Sequence, residues 1–357
     1  MRRVLGAALV TAVALAAGCG SSPEAGPTKP SSTLDAATTA PSTPPSSTTT
    51  VPSTPPSSTS EGPFSRVGGW IAYSGVDGIW AVDPVLGERL IRLTREGGDP
   101  ISWSSDGSKL LIRRRLPDGS AGLSVLEADR TETRLTDGAG GAATGGSFSP
   151  DGSEVVYAAG PWGRSAIYAV RSQGGAPRLI LRSTRRVSFP DGHSALANAY
   201  HPALSPGGRR IAYFDGMYDH SHNLWVANAD GTERHVVLDD EVSASGHIRA
   251  LTWSPNGEWL AFTTDNSVYL VRPDGTGLRR VFSGGFVSAP AVQWSPDGSR
   301  LAYLHTGQTC VSWTGKDEDL TCAAGALSIV NVDGGYEQVI EGLRTPEVAW
   351  IAWNPRV

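Results

Sequence analysis

One pentapeptide recurs along this chain and limits its fold more than any other feature. Trp253-Ser254-Pro255-Asn256-Gly257 and Trp294-Ser295-Pro296-Asp297-Gly298 are near copies, and Phe148-Ser149-Pro150-Asp151-Gly152 matches them. Trp103-Ser104-Ser105-Asp106-Gly107 and Leu204-Ser205-Pro206-Gly207-Gly208 are looser versions. Each leads into a short apolar segment, such as Leu301-Ala302-Tyr303, Leu260-Ala261-Phe262 or Ile211-Ala212-Tyr213. Pro presets φ, Asp or Asn tolerates the turn, and Gly supplies a positive φ. Each copy therefore predicts a tight β-hairpin. A third strand follows each hairpin, as at Leu123–Leu126 or Val268–Val271, and turn residues such as Asp274-Gly275 lead to a fourth. A repeated unit of four strands predicts the blade of a β-propeller.

The two ends of the repeat region settle the count. Trp353-Asn354-Pro355 copies the start of the motif and then stops, while Gly68-Gly69-Trp70-Ile71-Ala72-Tyr73 aligns with Gly257-Glu258-Trp259-Leu260-Ala261-Phe262. The C-terminus is thus expected to supply the innermost strand of a blade whose other three strands come from the N-terminal side. Motif starts at 103, 148, 204, 253, 294 and 353 lie 41 to 59 residues apart. The expectation is an all-β, six-bladed propeller of four-stranded blades over residues 64–357, closed by its own termini and monomeric. The motif hairpin resembles the WD-like repeat of the TolB-type β-propeller, over about 66–357. That resemblance implies a binding platform for envelope proteins or cell-wall polymer rather than an enzyme. An α/β domain precedes the propeller in that family, whereas here the preceding residues have another character.

Residues 1–63 hold none of the chain's 27 Phe, Trp and Tyr residues. Arg2 and Arg3 precede an apolar run from Val4 to Ala17, which reads as a secretory leader and is short for a membrane span. Leu15-Ala16-Ala17-Gly18-Cys19 resembles the bacterial lipobox, with Ala16 where Leu is commonest. The resemblance implies cleavage after residue 18 and lipidation of Cys19, which anchors the chain outside the cytoplasm on the bacterial cell membrane. Residues 19–63 then form a tether. Of residues 20–63, 31 are Pro, Ser or Thr. Such a segment cannot bury enough apolar surface to offset its ordering entropy. Extended at ~3.1 Å per residue, it reaches roughly 130 Å.

The formal net charge is −5, and residues 1–63 sum to zero, so the repeat region carries all of it. Nucleic-acid binders usually show a basic excess, and a nucleic-acid partner is therefore not expected. With Cys19 assigned to the anchor, Cys310 and Cys322 remain. Outside the cytosol such a pair is expected to form a disulfide, bracketing the longest insertion in the blade that starts at 294.

In a four-stranded blade the second-to-third and fourth-to-first connections share one face. His220, His222 and His305 are expected in the first kind, and His193, His201 and His247 in or near the second. Asp219-His220-Ser221-His222 sets two imidazoles close together, and His201 belongs to the same blade. Neutral imidazoles suit zinc, copper, iron or nickel. His201, His220 and His222 are accordingly candidate metal ligands, although no spacing here matches a known metal motif. Some propeller enzymes built from similar repeats, oligogalacturonate lyases among them, use His-bound metal. The resemblance therefore leaves open a metal-dependent enzyme acting on carbohydrate, and the central channel leaves open small-ligand capture. Solvated or hydrogen-bonded histidines, with no cofactor, are the simpler expectation. No nucleophile motif is present, since Gly192-His193-Ser194-Ala195-Leu196 lacks the final Gly of a nucleophile elbow. Arg113-Arg114-Arg115 is expected on the same face, with His193 and His305, as a surface for an anionic glycan or a partner's carboxylates.

Overall fold

The computed structural model describes residues 63–356 apart from short stretches, the longest being 240–247, 284–290, 313–319 and 344–349. The leader, Cys19 and nearly all of the tether lie outside the described residues, as do His247 and residues 313–319 of the insertion.

Among the described residues, a short 3-10 helix at Pro63–Arg66 precedes twenty-eight strands. Blade one holds β1 (Ile71–Gly75), β2 (Gly78–Val82) and β3 (Leu90–Thr94). Blade two holds β4 (Asp99–Trp103), β5 (Lys109–Arg115), β6 (Ala121–Glu127) and β7 (Glu132–Arg134). Blade three holds β8 (Thr144–Phe148), β9 (Glu154–Ala159), β10 (Ala166–Arg171) and β11 (Arg178–Arg182). A hairpin of β12 (Arg186–Ser188) and β13 (Ser194–Leu196) follows. Blade four holds β14 (Asn198–Leu204), β15 (Arg210–Met217), β16 (His220–Asn228) and β17 (His235–Leu238). Blade five holds β18 (Ala250–Trp253), β19 (Leu260–Thr264), β20 (Ser267–Val271) and β21 (Arg279–Ser283). Blade six begins with β22 (Val292–Trp294) and β23 (Arg300–His305), then a hairpin of β24 (Cys310–Ser312) and β25 (Leu320–Cys322). It ends with β26 (Ala326–Asn331) and β27 (Glu337–Ile340), and β28 (Ile351–Trp353) completes blade one.

Blade one has the order β28-β1-β2-β3, with Ile71 opposite Trp353 and Tyr73 opposite Ile351. The termini close the ring as the repeat alignment predicts. The innermost strands β4, β8, β14, β18, β22 and β28 touch in sequence around the axis.

Burial peaks in the second strands of the blades and falls toward the rim. All five residues of β19 are buried, as are seven of eight in β15, because neighbouring blades cover both faces of these strands. The outer strands β7 and β11 are mostly exposed. Phe214 and Phe262 meet across the interface of blades four and five at 6.4 Å between ring centroids. Both are fully buried, and each contributes about 1.5–3 kcal/mol by leaving water.

The repeated pentapeptide has a physical role at each position. In blade two the backbone N–H of Lys109 donates to Ser104 Oγ, and that hydroxyl donates to Asp106 at 2.6 Å. Ser149-Asp151 and Ser295-Asp297 repeat the bond, and Ser254-Asn256 does so with an amide. The aromatic of blades two and five crosses to the preceding blade. The Trp103 indole N–H donates to the Ala352 carbonyl, and that of Trp253 to the Ala203 carbonyl. These aromatics are therefore inter-blade packing residues. Gly208 lies so close to the motif proline of blade three that a Cβ there would stand 2.9 Å from Pro150.

Candidate binding face at the channel mouth

The six inner strands enclose a cavity of about 340 Å³ along the propeller axis. Its wall carries hydroxyl, amide, aromatic and proline side chains, with Ser147, Thr252 and Gln293 among the polar ones. Among the described residues, no Asp, Glu, Lys or Arg lines it, and His201 is the one imidazole that does.

His201 is held in place by local distortion. Pro202 has no N–H to donate, and β14 carries a register shift between Tyr200 and Ala203 against β15. His201 sits in that bulge with φ of 47°, a backbone region that costs free energy for any residue with a Cβ. The neighbouring strand makes room. Gly145 has φ of +63°, and a Cβ on it would lie 3.0 Å from His201 Cα and 3.1 Å from Nδ1. Inner strands β8 and β4 are also bulged, between Thr144 and Gly146 and between Pro100 and Ser102. Three adjacent inner strands thus depart from a regular ladder, and bulges of this kind re-aim side chains.

Around His201 lies a ring of aromatic and charged groups. Tyr200 meets it edge-on at 5.3 Å between centroids, and Trp350 lies 6.3 Å away. The Arg113 guanidinium stands 4.9 Å above the Trp350 ring. Arg113 also donates twice to Asp99 Oδ2, at 2.9 and 2.7 Å, and Ser74 Oγ donates to Asp99 Oδ1. The inner strands begin at this mouth, so the fourth-to-first and second-to-third connections both open here. The hairpins β12–β13 and β24–β25 occupy one connection of each kind.

The structure redistributes the residues singled out by sequence. His222 does not sit in a connection. It lies on β16, is 4% exposed, and is hydrogen-bonded to the Tyr200 hydroxyl through Nδ1. His201 faces the channel instead, and His220 and His305 fall on strands β16 and β23. Among the described residues, no three His, Cys, Asp or Glu side chains are grouped to hold a metal. His193 is exposed at the tip of the β12–β13 hairpin, stacked on Phe189 and paired with Asp191. The three consecutive arginines diverge. Arg113 is tied to Asp99, and Arg114 is bound to Glu132 and to the carbonyls of Glu96 and Gly97. Arg115 alone is exposed. Trp350, Tyr200, Asp99 and Gly145 carried no repeat signal. Pro100, Gly145-Gly146 and Pro202 inside predicted strands were the legible marks of the bulges.

A closed ring of WD-like hairpins around a central channel defines this domain as a six-bladed β-propeller. No protein-family model matches the chain. A TolB homologue of Chlorobium luteolum is 32% identical over 160 residues, covering 43% of this chain and 31% of that protein. The aligned part thus spans about a third of that relative's length. An uncharacterised protein of Agrobacterium fabrum is 25% identical over 229 residues, 60% of this chain and 68% of its own. Two solved structures share the fold. TolB of Acinetobacter baumannii superposes with a TM-score of 0.59 at 16% identity, over 83% of this chain and 68% of that one. A TolB-type protein of Agrobacterium tumefaciens gives 0.55 at 19% identity, over 80% and 94%. The domain is a TolB-like propeller.

Proposed function

We propose that this protein is a lipoprotein anchored through Cys19 to the outer surface of the bacterial cell membrane, whose propeller is a binding platform for envelope proteins. Residues 1–18 are its leader and 19–63 its tether. The observation that carries the reading is the channel mouth. Its backbone is distorted on three adjacent strands to present His201 beside Trp350. The described residues that line the cavity behind it carry no charge, so polar and apolar groups of a partner can enter there without burying an unpaired charge. Large aromatics beside a polar rim are the usual anchors of protein interfaces. The likeness to TolB proteins fits the same address and role.

The test uses full-length tagged protein in its own cell, with a photo-crosslinking residue at Gln293 or Thr252 in the channel. A second series carries it at Arg178 on the rim. A protein adduct that forms from the channel positions, fails from the rim and is lost in His201→Ala is the expected result. Adducts equal at both positions would overturn the assignment of this face. Cys19→Ser is expected to move the protein out of the membrane fraction, and retention there would refute the anchor.

A further inference from the structure

A second cavity, of about 810 Å³, lies between blades one and two, away from the channel. Six arginines and two glutamates line it, in a chain whose net charge is −5. We propose that this groove binds a single linear polyanion, a chain whose phosphate or carboxylate groups repeat along its length. The inference is independent of the channel-mouth reading.

Two of the arginines build the groove. Arg92 is paired with Asp77 and lies over Trp80. Arg114 is 11% exposed and doubly bonded to Glu132, at 3.0 and 2.6 Å. Burial pushes the Glu132 carboxyl up, but the Arg114 hydrogen bonds and charge outweigh it and hold it below its ordinary value. That pair is ionised and mutually satisfied. The other four, Arg95, Arg115, Arg130 and Arg134, are exposed, and none has a carboxylate partner among the described residues. Four unneutralised guanidinium groups along one groove repel each other until an anion fills it, and their forked donors match phosphate and carboxylate.

Their spacing points to a chain rather than a single ion. Arg115 lies opposite Ala121, where β6 begins, and the Arg130 N–H donates to Glu127, where β6 ends. At roughly 3.3 Å per residue, the cations are strung along about 20 Å. A concave groove admits one strand and not a flat lipid surface. Among the described residues no aromatic side chain lines it, which argues against single-stranded nucleic acid, whose bases stack on aromatics.

Arg130 carries a second, independent sign. It occupies the turn between the third and fourth strands with φ of 71°. The equivalent turns of four other blades place Gly174, Gly231, Gly275 and Gly334 there, with φ between 83° and 87° and the same backbone bond. A left-handed conformation is free for Gly and strained for Arg. An arginine in a glycine position, pointing into an arginine groove, is explained by what its side chain holds.

The experiment titrates the full-length lipoprotein in detergent with linear polyphosphate, polygalacturonate, oligothymidylate and orthophosphate, at low and high salt. Polyphosphate or polygalacturonate is expected to bind, and the tighter one identifies the anionic group. Affinity should fall with salt, less steeply for each arginine removed. Arg130→Gly is expected to weaken binding about tenfold while leaving the melting temperature equal or higher, opposite signs that a merely structural residue would not give. Arg95→Ala with Arg134→Ala should weaken it further, and Arg178→Ala, on another rim, should not. The proposal fails if neither polymer binds, if these variants bind as wild type does, if orthophosphate binds as tightly as the polymers, or if oligothymidylate binds best.

Discussion

The indole N–H of Trp353 donates to the carbonyl of Gly69 at 2.7 Å, across 284 residues of sequence. The last motif aromatic thus fastens the end of the propeller to its beginning, and Arg300 from blade six lies over the same ring at 5.7 Å. Each of the other five blades is built from one continuous stretch of chain. Blade one is completed by the non-covalent pairing of β28 with β1.

Ring closure should therefore dominate stability. A chain ending at Val348 lacks Trp350 and all of β28, leaving β1 and the faces of blades two and six uncovered. It is expected to lose its cooperative thermal transition, read by calorimetry. Trp353→Ala should cost about 3–5 kcal/mol, the usual penalty for emptying a buried Trp site. A full-strength transition in the truncated chain would refute closure by this strand.

The motif turns make the fold acid-sensitive. Hydrogen bonds from Ser149 and from Ser153 hold the Asp151 carboxyl down at about 2. Asp297 is lowered by its Ser295 bond, and Asp106 is lowered by its serine bonds despite the opposing push of burial. A folded value below the unfolded one contributes stability that is present above the ordinary carboxylate value and lost as pH falls through the folded value. Stability should thus decline between about pH 4 and pH 2. Asn256 performs the same bond without a charge. Replacing the three Asp by Asn should flatten that decline, as urea titrations at each pH would record.

Gly145→Ala tests the channel mouth. The added methyl must enter a left-handed backbone position and meets His201 at 3.0 Å. We expect about 1–3 kcal/mol of destabilisation and a displaced His201 imidazole, visible as a changed ring resonance by NMR. His201→Gly relaxes the same strain and should restore part of the stability of Gly145→Ala. Additive effects of the two changes would deny their contact.

Cys310 lies directly opposite Cys322 in the β24–β25 hairpin. Opposed residues of an antiparallel pair have Cα atoms about 4.5–5.5 Å apart, within the span that a disulfide bridges. Mass spectrometry of protein exported by its own cell should show the loss of two hydrogens on the peptides carrying these residues. Reduction should cost up to ~3 kcal/mol, the scale for a loop of this length. Two free thiols in exported protein would contradict the pairing.

The blades were legible because their determinants are local. Turn chemistry, alternation and a repeat need no knowledge of distant residues, and even closure could be read, since three strands of a blade at one end and one strand at the other leave one arrangement that completes a sheet. The binding face was not legible in the same way. His201, His220 and His222 look alike as a sequence cluster. Yet a strand extended by a few residues buries His222 against Tyr200, while a bulge turns His201 into the channel. Arg113, Arg114 and Arg115 read as one charge run, but alternation on β5 sends Arg113 to Asp99 and Arg114 to Glu132. It leaves Arg115 to a groove whose other arginines without a carboxylate partner come from three different strands and turns. Local propensity determined the strands, their number and their order. Which side chain faces a partner, a neighbour or water was decided by register and by blade-on-blade packing, because those depend on residues tens to hundreds of positions away.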